Sequence, residues 1–277
     1  MITEVSIGST VLTGTKWGLL SLQAGYPGIT HTTVNRGNYH GAKIYPGKFT
    51  SQQIVSEWIV VGSSYSDLAD QREDFRKAVS RLLARGEESM RITKSNGVVL
   101  TIPIKAAKLV GDIKSEDGVS GKFLVTFLAE YPFFRSLSQK SSDMAIFSGG
   151  GMAIPMGIPM DMSAGGSGEF QVTNEGEYDA FPVFTFQGVL DNPTITNVTT
   201  GEQLNLAYSL ATEDDSIVVD TYERSAILYP AGNNARQYVS GDFLTIVPGV
   251  NALRLTAGSY NEQGVVTVAF YDTYLGV

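Results

Sequence analysis

Strand-length apolar runs broken by turn residues fill this chain, and only positions 67–85 repeat their apolar residues at helical spacing. Leu68, Phe75, Val79, Leu82 and Leu83 form one stripe on that segment. Ser66 is placed to cap it, and Asp67 and Asp70 suit the positive end of its dipole. Glu73 and Lys77 make a favourable i,i+4 pair, Arg81 and Arg85 suit the negative end, and Gly86 is placed to stop it. At the usual rise such a helix is roughly 28 Å long. One amphipathic helix among strands predicts an α+β domain with the helix packed on a sheet.

The strands around it are read at 2–7, 28–35, 54–61, 89–94 and 98–109, all rich in β-branched and aromatic residues. Ser95-Asn96-Gly97 supplies the positive φ of a tight hairpin joining 90–94 to 98–104. A second hairpin is expected over 105–127, turning at 115–121. At 148–168 the character changes to Gly149-Gly150-Gly151-Met152-Ala153-Ile154-Pro155-Met156-Gly157-Ile158-Pro159-Met160, closing on Gly165-Gly166-Ser167-Gly168. Pro fixes φ and Gly frees it, so this reads as a domain junction, apolar enough to lie on a surface. Beyond it, strands are expected at 168–174, 180–188, 194–197, 202–206, 216–220, 226–229, 251–256 and 265–271. Turn signals separate them at sandwich-like spacing, as at Asp191-Asn192-Pro193 and Pro248-Gly249.

Charge divides at the same place. Residues 1–140 hold 17 basic and 12 acidic residues, net +5, while 141–277 hold 3 and 16, net −13. Surfaces of opposite sign suit two domains with different neighbours. The length of 277 residues fits one large or two ordinary domains. The absence of Cys excludes disulfides and thiolate metal sites, and two His, His31 and His40, leave no multi-histidine centre. No run approaches ~18 apolar residues, so no membrane-spanning helix is expected.

No catalytic, cofactor-binding or metal-ligating residue is assigned. His31 and His40 sit in polar, Gly- and Tyr-rich sequence without a nucleophile elbow. Of the paired carboxylates, Glu73-Asp74 lie on the helix, while Glu87-Glu88 and Asp214-Asp215 read as turns. Adjacent residues on a strand point to opposite faces, which is wrong for acid–base work on one substrate. Asp214-Asp215 could help bind Ca²⁺, but a turn before a strand accounts for them more simply. Gly118-Val119-Ser120-Gly121-Lys122 lacks the first Gly, the hydroxyl residue and the following helix of a phosphate loop. Asn197-Val198-Thr199 matches a glycosylation sequon with no sign of a secretory route. On the helix Asp70, Glu73 and Asp74 interleave with Arg72, Arg76, Lys77, Arg81 and Arg85, unlike a groove-reading basic face. Tyr208, Tyr222, Tyr229, Tyr238 and Tyr260 could stack on sugar rings, or fill a sandwich with their hydroxyls at its edge.

The second half carries, in order, Asn174-x-Gly176, Phe181-Pro182-Val183-Phe184-Thr185-Phe186-x-Gly188, Asn192-Pro193-x-Ile195-x-Asn197 and Thr200-Gly201. Asp215-Ser216-Ile217-Val218-Val219-Asp220 and Phe243-Leu244-x-Ile246-x-Pro248-Gly249-x-Asn251-x-Leu253 follow. This series resembles the C-terminal domain of siphophage distal tail proteins. The helix with Arg72, Phe75 and Leu82 and the close Glu130-Tyr131-Pro132-Phe133-Phe134 resemble the same family's N-terminal domain. The resemblance implies a mainly β protein. Residues 1–140 would be an α+β, ring-forming split β-barrel with one packed helix, and 141–167 a Gly/Met/Pro-rich junction. Residues 168–277 would be a galectin-like antiparallel β-sandwich. It implies a structural hub, not an enzyme, with no cofactor: a homo-hexamer at the virion tail tip, assembled in the host cytoplasm. The hub would join the tail tube protein to a tail fibre or tail-associated lysin, hold receptor-binding proteins, and let DNA pass without specific binding. The rival reading from the residues is a carbohydrate-binding sandwich module. A glycosidase would need two carboxylates facing one cleft about 5–10 Å apart, and no such pair stands out.

Overall fold

Alternation along Gln52–Val61 organises the first half. Ile54, Ser56, Trp58 and Val60 are buried while Val55, Glu57 and Ile59 are half-exposed, the signature of a strand with one face in a core. The structure, a computed structural model, describes residues 2–8, 10–14, 17–25, 27–35, 42–44, 47–84, 88–114, 119–145, 167–258 and 264–277. It divides into two units, 1–137 with Tyr274–Val277, and Ser138–Thr273.

In the first unit Gln52–Val61 lies inside a four-stranded antiparallel sheet ordered Ala106–Lys114, Ser120–Ala129, Gln52–Val61, Trp17–Ala24. A six-stranded sheet runs Thr10–Val11, Ile2–Ile7, Glu88–Lys94, Val99–Ile104, Phe134–Ser136, Thr273–Tyr274. Val5, Ile7, Ile92 and Ile102 from this sheet share one apolar core with Ile54, Trp58, Phe123 and Phe127 from the other. The expected Asn-Gly hairpin is present: Gly97 has φ +82° and the Asn96 side chain accepts the Val98 N–H. The second expected hairpin joins Ala106–Lys114 to Ser120–Ala129, and its tip at 115–118 lies outside the described residues. The chain over 29–49 forms two short two-stranded pairings, Ile29–Thr30 with Lys48–Phe49 and Thr33–Asn35 with Ala42–Ile44.

The helix spans Tyr65–Ala84. It starts two residues before the expected Asp67 because Ser64, not Ser66, caps it. Ser64 Oγ accepts the Asp67 N–H at 3.2 Å, and the Asp67 carboxylate reaches back to the Ser63 N–H and hydroxyl at 2.7 and 2.9 Å. This reciprocal arrangement satisfies donors that the first turn would leave orphaned. Gly62 is required there, since a Cβ would fall 2.4 Å from the Leu68 nitrogen. Phe75 is the pin of the apolar stripe. Its ring meets Trp17, Trp58 and Phe123 at centroid distances of 5.2, 5.9 and 4.9 Å. Leu68 and Val79 are buried with it. The side chains of Arg81, Leu82 and Leu83, and residues Arg85 and Gly86, fall outside the described residues.

The second unit is built on two large antiparallel sheets, with a short antiparallel pairing of Leu190–Asp191 and Ser209–Leu210 as well. One is ordered Lys140–Ala145, Val265–Phe270, Val183–Gln187, Ser216–Asp220, Ser225–Tyr229, Asn233–Asn234. The other is ordered Ser167–Asn174, Gly249–Thr256, Thr194–Asn197, Gln203–Leu206, Val239–Gly241. Phe184, Phe186, Ile217, Val219, Val266 and Val268 point inward from the first sheet. They share a core with Val172, Ile195, Leu204, Leu253 and Leu255 of the second. Three of the expected strands, 2–7, 194–197 and 216–220, have the expected bounds. The division drawn at 140 falls elsewhere. The units part between Leu137 and Ser138, Lys140–Ala145 pairs with Val265–Phe270, and Tyr274–Val277 belongs to the first unit. The Met/Gly/Pro stretch, 146–166 of which lies outside the described residues, therefore leaves one strand of the second unit and returns in another.

Candidate functional site

Among the described residues no three His, Asp or Glu side chains could hold one metal ion. His31 is exposed, with its ring against Gly47, and His40 lies outside the described residues. Glu73 pairs with Lys77 at 2.7 Å on the exposed helix face, and that hydrogen bond and charge hold its carboxyl below the usual range. Asp214 and Asp215 are in the turn before Ser216–Asp220. Lys122 stands within the strand Ser120–Ala129, 3.5 Å from Glu57, so the Gly121-Lys122 sequence serves a sheet. Arg72 and Arg76 lie over the Phe123 ring at 5.9 and 6.0 Å. The sequon residue Asn197 is buried and donates to Thr245 O, which leaves no exposed amide to modify.

What the first unit offers instead is a sheet with two open ends. Trp17–Ala24 pairs with Gln52–Val61 on one side, and Ala106–Lys114 pairs with Ser120–Ala129 on one side. Among the described residues neither has a strand on its other flank. Each open edge presents backbone N–H and C=O groups to a partner strand. Leu20, left over by a register shift between Leu19 and Ser21, is 46% exposed on one of them.

In the second unit the motif residues of the sequence turn out to be loop clamps. Asn174, Asn197 and Asn251 are buried. Asn174 donates to Tyr178 O and Ile246 O and accepts the Gly176 N–H. Gly176 lies against the chain at Thr273, where a Cβ would sit 2.2 Å from the carbonyl oxygen. Asn197 accepts the Thr199 and Thr200 N–H groups, and Asn251 accepts the Val247 N–H while donating to Val247 O and Gly249 O. Buried amides satisfied in this way fix loops that hydrophobic packing alone would leave loose.

Lys140, the second unit's one lysine, was missed by sequence reading because the division at 140 assigned it to the first half. Its ammonium lies 2.9 Å from Asp272 and 3.1 Å from Glu175 and donates to Thr173 O at 3.0 Å. Burial opposes its charge, but those hydrogen bonds outweigh the penalty and its pKa lies above the ordinary value. The other Asp272 oxygen accepts the Glu175 N–H. Burial, then the charge of Glu202, push Asp179 up, and burial pushes Tyr178 up.

The tyrosines divide. Tyr208 and Tyr238 pair at 4.9 Å against the core, Tyr222 stands edge-on to Phe181 at 5.2 Å, Tyr229 is exposed, and Tyr260 lies outside the described residues.

Residues 175–274 match the family model described as siphovirus-type tail component, C-terminal domain. The whole chain also shares the fold of the Dit protein of phage SPP1, at 14% identity and a TM-score of 0.64. That match covers 98% of this chain and 99% of the other. The solved SPP1 protein is described as a paradigm of hub adsorption apparatus in phages that infect Gram-positive hosts. A chain of the phage p2 baseplate in its activated conformation aligns at 10% identity over 92% of this chain and 99% of that one, with a TM-score of 0.41. No curated protein sequence matches. The chain has the fold of that Dit protein, mainly β with one helix, in keeping with the resemblance read from its residues. No helix among the described residues is long and apolar enough to cross a membrane.

Proposed function

We propose that this tail component is the distal hub of a long-tailed, non-contractile phage: a hexameric ring, built by the first unit, that continues the tail tube. The second unit projects outward to hold other baseplate proteins. The ring carries a tail fibre or lysin below it, DNA passes through it without specific recognition, and it is assembled in the host cytoplasm and works in the virion.

The observation that carries this reading is the open four-stranded sheet. Its strands alternate in direction, so its two edge strands run opposite ways. Rotating copies about one axis brings Trp17–Ala24 of each against Ala106–Lys114 of the next in antiparallel register. This heterologous contact closes when the rotation closes. Six copies would supply 24 strands. At about 4.8 Å per strand their circumference is about 115 Å and their diameter about 37 Å before tilt. The half-exposed face of Val55, Glu57, Ile59 and Leu124 would then line the hole, and the helix would stand outside it.

Native mass measurement with negative-stain imaging tests the reading. Rings of six with a central hole are expected, and Leu20→Glu on the open edge should shift them to monomers without lowering the monomer's melting temperature. A strict monomer at high concentration in the presence of the tail tube protein, or a ring without a channel, overturns it.

A further inference from the structure

The second unit, 138–273, holds four basic and 16 acidic residues, a net charge of −12. Arg254 pairs with Glu169, and Lys140 with Asp272 and Glu175. The other two cations behave differently. Arg236 places its guanidinium carbon 4.7 Å from the Phe243 ring centre, and Arg224 places its own 5.9 Å from the same ring. Neither makes an ion pair with a described carboxylate. Like charges have been brought together, in a unit where carboxylates outnumber them.

Both arginines are held in place by backbone. Arg224 has a left-handed φ of +53°, uncommon outside glycine, at the end of a turn in which Asp220 accepts the Tyr222 and Glu223 N–H groups. Arg236 donates from Nη1 to Val239 O, and its own N–H is accepted by Asn234. A guanidinium over a ring keeps its in-plane N–H groups free for a planar, two-oxygen acceptor. Phe243 is half-buried and, with the Tyr208–Tyr238 pair, packs against the sandwich core. Anchored arginine beside aromatic rings is the composition of an interface hot spot.

We propose that Arg224, Arg236 and Phe243 form a docking site for a protein partner that presents an Asp or Glu carboxylate beside an apolar side chain. The field of the unit favours this occupant over a charged polymer. A net −12 repels a polyanion along its whole length, whereas one carboxylate on a near-neutral surface meets only the local positive spot. The site gives the outward unit of the proposed hub a specific place to hold a neighbour, and to that extent it rests on the hub reading.

The test selects a displayed 12-residue peptide library on the full-length protein. The recovered peptides are then measured against the R224Q/R236Q and R224K/R236K variants, with polyphosphate as a parallel probe. Each variant is also checked for oligomeric state. Recovered peptides should be enriched in an acidic residue next to an aliphatic or aromatic one and bind R224Q/R236Q at least about tenfold more weakly. R224K/R236K should recover only part of that loss, because an ammonium cannot replace the fork. Peptides without acidic enrichment, equal binding by R224Q/R236Q, or arginine-dependent binding of polyphosphate in place of peptide would each overturn the proposal. A non-ring oligomeric state with arginine-dependent acidic peptides would overturn the hub reading and leave the site standing.

Discussion

The two units are braced in different ways. Among the described residues the first leaves its four-stranded sheet open at both ends and spends its large aromatic residues on pinning one helix through Phe75. The second packs two sheets around one core and ties its loops with buried asparagines and one embedded lysine. The ring proposed for the first unit uses open strand edges on a rigid platform, and the docking proposed for the second uses loops held in fixed positions.

The contrast is broken most severely at Phe75. Phe75→Ala should cost about 3–5 kcal/mol, because three rings lose their common contact. Calorimetry should show the first unit's transition fall and the second's stay in place. A single shared transition would mean that the units do not melt independently. In the second unit Asn251→Ala should cost about 2–3 kcal/mol by stranding Val247 and Gly249 backbone groups, read by urea unfolding and by amide exchange in that loop. Lys140→Ala should cost less, about 1–2 kcal/mol, since its side chain is about one-third exposed while Asp272 is buried. Its raised pKa means the wild-type advantage holds at neutral pH and is lost only as pH rises through the alkaline range where Lys140 titrates.

Asp179 gives the smallest effect and the opposite sign. Its raised pKa means that folding favours the protonated acid, so its contribution is present in acid and turns unfavourable as pH rises through its titration. Asp179→Asn should therefore raise the melting temperature slightly at pH 7 and lose that advantage as the pH falls below the carboxylate range.

Much of this was legible along the chain. The strand 2–7 and the turn at Asn96-Gly97 follow from alternation and from one residue able to hold positive φ. The helix start was misread because Ser66 is a good cap by type, and only the reach of Asp67 to Ser63 selects Ser64. The edge of the second unit was misplaced because Gly and Pro mark where backbone loses regular structure. Domain limits follow long-range pairing, here of Lys140–Ala145 with residues 120 to 130 positions away, from Ala145↔Val265 to Lys140↔Phe270. Asn174, Asn197 and Asn251 were visible as motif residues, but their clamp role depends on carbonyls distant in sequence.

The sequence by itself determined the element types and the presence of two unlike halves, because periodicity, turn chemistry and composition are local. Tertiary structure alone decided which edges stay open, where Lys140 belongs, and that Arg224 and Arg236 meet over Phe243. Those are contacts between residues whose separation along the chain carries no information about their distance in space.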